Sequence, residues 1–234
     1  MADADALKAL KSQVEQLTHR IGVMEDIHAV RMLHFKYGYY LDSCLYEEIV
    51  ELFSDEAELR FLNGVYRGKA GVRRLYCDWL RKLWTGGREG LPHGLLYDHL
   101  MLQDVIDVAP DRRSAMGRFR AVMQGGFHES AEPTDRTVPR PGWEAGIYEN
   151  RYVREDGVWK FGLFDYNMLW QADYDKGWAR SATHLKPLTR TWPEDPVGPD
   201  ELLAVTPVTW PDRRIVPFHY PNPVTGKTWK EPDA

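Results

Sequence analysis

Only two cysteines, Cys44 and Cys77, occur in the 234 residues. That is too few for a disulfide scaffold or a cysteine-built zinc site, and it suits a reducing cytoplasm. Positive charge is not in excess either, since 30 Lys and Arg stand against 35 Asp and Glu for a formal charge of -5. Without a basic stripe nothing favours condensation on phosphate backbones, which argues against nucleic acid and anionic membranes as partners. No apolar run approaches the roughly 20 residues that a spanning helix needs. The opening MADADALKALKSQ lacks the basic start and apolar middle of a secretory signal. A cytoplasmic location is therefore expected. The motifs of several chemistries are missing too: there is no GxSxG elbow, no glycine-rich phosphate loop, no HExxH and no CxxC. His19, His184 and His219 stand without neighbouring ligand candidates. Neither a metal nor an organic cofactor is expected, and the chemistry falls to acid–base side chains in a pocket.

What is present reads as helices first and strands later. Leu7, Leu10, Val14, Leu17, Ile21 and Met24 recur at spacings of three and four, the seam of an amphipathic helix. Fewer than three heptads are available, so packing on its own domain and a short contact between subunits both remain open. Helical spacing continues over 25–40, is interrupted at Asp42-Ser43, and resumes over 46–53. Asn63-Gly64 marks a hairpin turn. Val72, Leu75, Tyr76, Trp79, Leu80 and Leu83 trace a further helix stopped at Gly86-Gly87. Strands then follow over 95–108, 115–127, 143–154 and 158–170, with a polar, proline-containing loop at 129–142. This order predicts an α+β fold with antiparallel strands, not alternating βαβ units. Ten of the fifteen prolines lie between Pro187 and Pro232, a density that blocks helices and ladders. Trp192, Trp210 and Phe218 within that segment are expected to be buried against the rest of the molecule or a neighbouring subunit. The chain thus divides into an N-terminal helix (1–25), a central domain (26–184) and an irregular C-terminal arm (185–234).

Three stretches carry a family resemblance: Tyr40-Leu41-Asp42-Ser43 at a helix end, Asp98-His99 opening a long strand, and Asp156-Gly157-Val158-Trp159-Lys160-Phe161 running on to Trp170-Gln171-Ala172-Asp173-Tyr174-Asp175. In this order the chain resembles the SnoaL-like branch of the NTF2-like superfamily, which includes scytalone dehydratase and ketosteroid isomerase, over about residues 26–180. The resemblance implies a cone: three helices packed on a strongly curved mixed or antiparallel sheet. On the residues alone Asp42 caps a helix and His99 packs in the sheet. The resemblance implies instead that they are a catalytic pair, the carboxylate fixing the imidazole tautomer so that the other ring nitrogen takes a substrate proton. Leu41 and Phe61 stand where scytalone dehydratase has two tyrosines. Its second histidine falls on Gln124 or Gly125, and its substrate-binding asparagine on Tyr148. The pair is kept while its surroundings are rewritten, which argues against scytalone dehydration itself.

Alternation along the last strand places Phe164, Tyr166 and Met168 on the pocket face. With Tyr40, Phe61 and Tyr148 they would line an aromatic chamber suited to a flat aromatic ligand. Tyr166 is further expected to donate a hydrogen bond to a developing phenolate. Within the family, the resemblance points to a cofactor-independent lyase acting on a phenolic compound, as in removal of formaldehyde from lignin-derived diarylpropane dimers. A dehydratase or a polyketide or steroid isomerase using the same pair, and a non-catalytic ligand-binding subunit, are the alternatives. A small aromatic substrate is the expected partner, in a homodimer or homotrimer.

Overall fold

The structure, a computed structural model, describes residues 2–131, 141–181, 183–205, 208–212 and 215–230. The helical spacing that starts at Leu7 does not stop at Met24, for a single helix, α1 (Ala2–Asp42), carries it through to the first family motif. Along its first half the seam residues Leu7, Leu10, Val14, Leu17, Ile21 and Met24 are each more than half exposed. Further on, Val30, Leu33, Tyr37 and Leu41 are buried against the sheet. Cys44, at φ 54°, ends the helix. Cys44 N–H bonds to Leu41 O and Leu45 N–H to Tyr40 O, the paired closing bonds that a left-handed residue after a helix permits. Asp42 therefore occupies the last helical turn and does not cap an N-terminus.

A short helix α2 (Tyr46–Glu51) leads into strand β1 (Phe53–Phe61), which turns back as β2 (Gly64–Arg67). Phe61 pairs with Gly64, so the turn is Leu62-Asn63, one residue earlier than the sequence suggests. Gly64 is small for another reason: a Cβ there would lie 2.8 Å from Leu188 Cδ1. Helix α3 (Gly68–Arg73) continues through a π-helical stretch, Arg74–Leu80, into α4 (Arg81–Thr85) and stops at Gly86, whose φ is 64°. The strands β3 (Leu95–Val108), β4 (Ser114–Phe127), β5 (Gly142–Glu155) and β6 (Val158–Asp173) follow. Most of the proposed loop at 129–142 lies outside the described residues.

With β7 (Glu201–Leu202) the strands form one sheet in the order β3-β4-β5-β6-β1-β2-β7. All neighbours are antiparallel except β1 and β6, which run parallel, so the sheet is mixed and the fold is α+β. The core lies between its concave face and the helices, with Tyr46, Phe53, Phe119, Tyr152 and Phe161 fully buried.

The C-terminal arm is held by polar bonds more than by its aromatic residues. Asn63 both donates to Leu188 O and accepts from Leu188 N–H, at 3.1 and 2.7 Å. Asp200 accepts from Arg67 N–H at 2.8 Å and pairs with Arg74 at 2.5 Å. Arg118 donates to the carbonyls of Val216 and Pro217 and lies over the Phe218 ring. The expected burial of these rings against their own chain is corrected here: Trp192 and Trp210 keep 51% and 36% of their surface exposed, and Phe218 is half-buried. Trp192 stacks under the Arg74 guanidinium and Trp210 Nε1 donates to Trp178 O, so each ring keeps one face in solvent. No helix among the described residues is long and apolar enough to cross a membrane.

Candidate active site

Helix α1, the α3–α4 segment and the concave face of the sheet enclose a cavity of about 420 Å³. That is the size of a small-molecule site. Tyr37 and Leu41, one helical turn apart, face it from α1. The π-helical stretch widens its turn and brings Leu75, Tyr76, Trp79 and Leu80 to the wall. Tyr97 and His99 come from β3, Met123 and Gln124 from β4, Glu144 and Tyr148 from β5, and Phe164 and Tyr166 from β6. Leu41, Phe61, Gln124, Gly125 and Tyr148, which the resemblance aligns with site residues of scytalone dehydratase, all lie in this wall.

Asp42 and His99 come together across the helix–sheet boundary, with Asp42 Oδ1 2.8 Å from His99 Nδ1. A carboxylate can only accept, so His99 Nδ1 carries the proton of this bond, and in the neutral ring Nε2 is the nitrogen with the lone pair. Nε2 takes no hydrogen bond among the described residues, and the ring lines the cavity. Tyr97 supports the imidazole edge-on, ring centres 4.6 Å apart. Asp42 also sits at the carbonyl end of a long helix, where a negative charge is disfavoured unless a donor compensates it.

A second polar corner went unrecognised in the sequence. Tyr166 Oη donates to Glu144 Oε1 at 2.6 Å, and Gln171 Nε2 donates to Glu144 Oε2 at 2.5 Å. All three side chains line the cavity. Glu144 and Gln171 face each other directly across β5 and β6, a pairing that the alternation of β5 would have offered had its register been known. Burial, reinforced by the neighbouring Glu144 charge, holds the Tyr166 hydroxyl well above the usual phenol range. Burial does the same at Tyr76, Tyr97 and Tyr148, so these phenols stay protonated at neutral pH.

Two expected lining residues lie elsewhere. Tyr40, turned by about 100° from Leu41 on α1, packs at the edge of the core and not in the cavity wall. Met168 borders a second, smaller cavity beneath the arm with Leu169 and Val216. Met168 keeps the β5–β6 register of Tyr166, Gly146 pairing with Met168 as Tyr148 does with Tyr166, and is buried in the same core; the register shifts only beyond it, where Ala145 pairs with Trp170.

Behind the cavity wall His34 stacks on Phe119, ring centres 3.8 Å apart, and burial pushes its pKa down to about 3, leaving it neutral. Burial raises the Cys44 and Cys77 thiols to about 11, which removes both as nucleophiles at neutral pH. Among the described residues no three His, Cys, Asp or Glu side chains gather as metal ligands.

A model of the SnoaL-like domain matches residues 22–165, more than half of the chain. No curated protein gives a match. Among solved structures, LinA is similar with a TM-score of 0.53 and 16% identity, over 71% of this chain and 99% of that one. The type 3 hexachlorocyclohexane dehydrochlorinase LinA of Novosphingobium barchaimii gives 0.51 and 18%, over 68% and 94%. A candidate scytalone dehydratase of Novosphingobium aromaticivorans gives 0.50 and 20%, over 64% and 89%. At these identities the likeness is one of fold.

Proposed function

The chain belongs to the SnoaL-like domain family, and on that footing we propose that it is a cofactor-independent lyase working by general acid–base catalysis on a phenolic aromatic small molecule. The observation that carries this reading is a base with a free edge in a largely aromatic chamber: His99, its Nδ1 held by Asp42 at 2.8 Å, in the wall of the 420 Å³ cavity. The solved dehydratase and dehydrochlorinase relatives are named for eliminations, which agrees with a base of this kind.

The reaction we favour is release of formaldehyde from a diarylpropane-type diol. Electrons from a para-phenol expel the benzylic hydroxide and give a quinone methide. His99 Nε2 then takes the proton of the terminal CH2OH, the carbon–carbon bond breaks, and its electrons return to the ring as formaldehyde leaves. The proton and hydroxide end as water, so a stilbene, formaldehyde and water account for every atom without an oxidant. Leu41 and Phe61 supply no hydroxyl to hold a water, which weighs against scytalone-type dehydration.

Mass spectrometry of products after incubation with aromatic diols, hydroxy-ketones and steroids tests the reading. Formaldehyde with a stilbene is the expected outcome; loss of water alone, or a shifted double bond, would move the protein to the dehydratase or isomerase class. His99→Ala should lower the rate at least about 100-fold, as for loss of a general base, with the fold retained. Near-full activity in that variant would exclude His99 as the base.

A further inference from the structure

The polarity of the second corner is set from the backbone. Gln171 Oε1 accepts from the N–H groups of His184 and Leu185, at 3.2 and 3.3 Å. Two backbone donors require the carbonyl end of the amide, so its nitrogen must face Glu144, as it does at 2.5 Å. Glu144 then offers its other oxygen to Tyr166, which donates to it at 2.6 Å. A phenol has one proton, and this one is committed to Glu144. Tyr166 Oη accordingly turns lone pairs, not a proton, towards the cavity it lines. Met123 Sδ, 3.6 Å away, is an acceptor and supplies no competing donor. The hydroxyl is also given room: a Cβ at Gly146 would lie 2.6 Å from Tyr166 Oη.

We propose that Tyr166, backed by Glu144, is a hydrogen-bond acceptor of fixed polarity that selects ligands presenting a neutral hydroxyl, a phenol above all, over the corresponding ethers. The proposal rests on the reading of this cavity as the substrate site. In the lyase reaction the same pair gives the phenol proton a destination. As hydroxide departs, that proton passes to Tyr166 Oη while Tyr166's own proton moves to Glu144 Oε1. Both return when the electrons come back to the ring, so the pair ends unchanged and nothing is oxidised or reduced. Tyr166 touches the substrate in this scheme, and Glu144 and Gln171 are positioning residues behind it. The expected hydrogen bond from Tyr166 to a phenolate is thereby reversed in direction.

Binding of para-phenylphenol and of its methyl ether to the full chain, followed by tryptophan fluorescence at neutral pH, tests this without turnover. Its outcome is therefore independent of the product assay. The wild-type protein should bind the phenol about tenfold more tightly, the contribution of one good hydrogen bond. Glu144→Gln is the deciding variant because it changes polarity and hardly changes volume. Gln171 would hold the new amide's oxygen, its NH2 would face Tyr166, and the Tyr166 proton would be freed to point inward. The preference should then fall below about threefold or invert, with the ether bound more tightly than before. Tyr166→Phe, which removes one oxygen and keeps the ring, should lose the preference even if the Gln variant fails to fold. Equal binding of both probes by the wild type, no binding of the phenol, or a preference that survives Tyr166→Phe would overturn the proposal.

Discussion

At one corner of the cavity a single 2.8 Å bond joins two side chains 57 positions apart, Asp42 on a helix and His99 on a strand. At the other, Tyr166, Glu144 and Gln171 lie on two adjacent strands and are tied to the backbone where the arm begins, at His184 and Leu185. The first corner leaves His99 Nε2 without a partner among the described residues, as its proposed role as proton acceptor requires. The second directs donors from Tyr166 and Gln171 onto one carboxylate, as a group proposed to keep its polarity requires. The corner proposed as the base and the corner proposed for recognition thus differ in how completely their hydrogen bonds are satisfied.

The sharpest way to break this comparison is Asp42→Asn. The amide can present oxygen or nitrogen to His99 and no longer dictates the tautomer. Turnover should fall by about 100-fold, while the phenol-over-ether binding ratio stays as in the wild type. A parallel loss of both, measured by steady-state kinetics and fluorescence titration, would show that the two corners are one unit.

A truncation after Lys186 probes the second corner from behind. It removes the Asn63–Leu188 bonds, the Asp200 contacts and β7, and leaves His184 and Leu185 without their downstream anchor. Loss of roughly 2 to 3 kcal/mol should lower the melting temperature by about 5 to 10 °C, with a weaker phenol preference. An unchanged melting curve would mean that the arm is dispensable.

The smallest effect concerns the pH range in which either corner can be compared. His34 has its folded pKa depressed by burial to about 3, against about 6.5 unfolded. The unfolded chain therefore takes up a proton that the folded one refuses. This contribution is fully present above pH 6.5 and declines as pH falls towards 3, by up to about 1.4 kcal/mol per pH unit. His34→Asn, which retains a partner for Tyr152 Oη, should flatten the acid limb of the stability curve, read as melting temperature against pH. An acid limb identical to wild type would assign the sensitivity elsewhere, with Asp26 the next group to test. At Asp26 burial opposes ionisation, but hydrogen bonds from Arg112 and Trp159 and the Arg112 and Arg154 charges outweigh it, holding the carboxyl below its usual range.

Legibility in the sequence followed the reach of the interaction. The strand 95–108 was read to the residue, because alternation and flanking turns are local signals. Asp42 and His99 were found only because neighbouring motifs resembled a family; spacing alone places no carboxylate beside a histidine 57 residues away. Glu144 carried no signal, since an acidic residue near a strand start reads as solvated until its register against Gln171 is known. Tyr40 failed for the opposite reason, because its helical pattern was correct and the helix rotation turned it from the cavity, while Met168 kept the alternation and lies in the core beside a different cavity.

By itself, then, the sequence determined the helices, the long strands, the α+β order and the aromatic character of the pocket, all of which arise from periodicity and composition within a few residues. The tertiary structure alone decided that β1 lies parallel to β6, that Gly64 and Gly146 make room for Leu188 and Tyr166, and that two backbone N–H groups where the arm begins, at His184 and Leu185, set the polarity of a cavity wall. The physical reason is that hydrogen-bond direction depends on which partners meet in space. No local pattern records the far end of a chain that begins at His184 N–H and finishes at Tyr166 Oη.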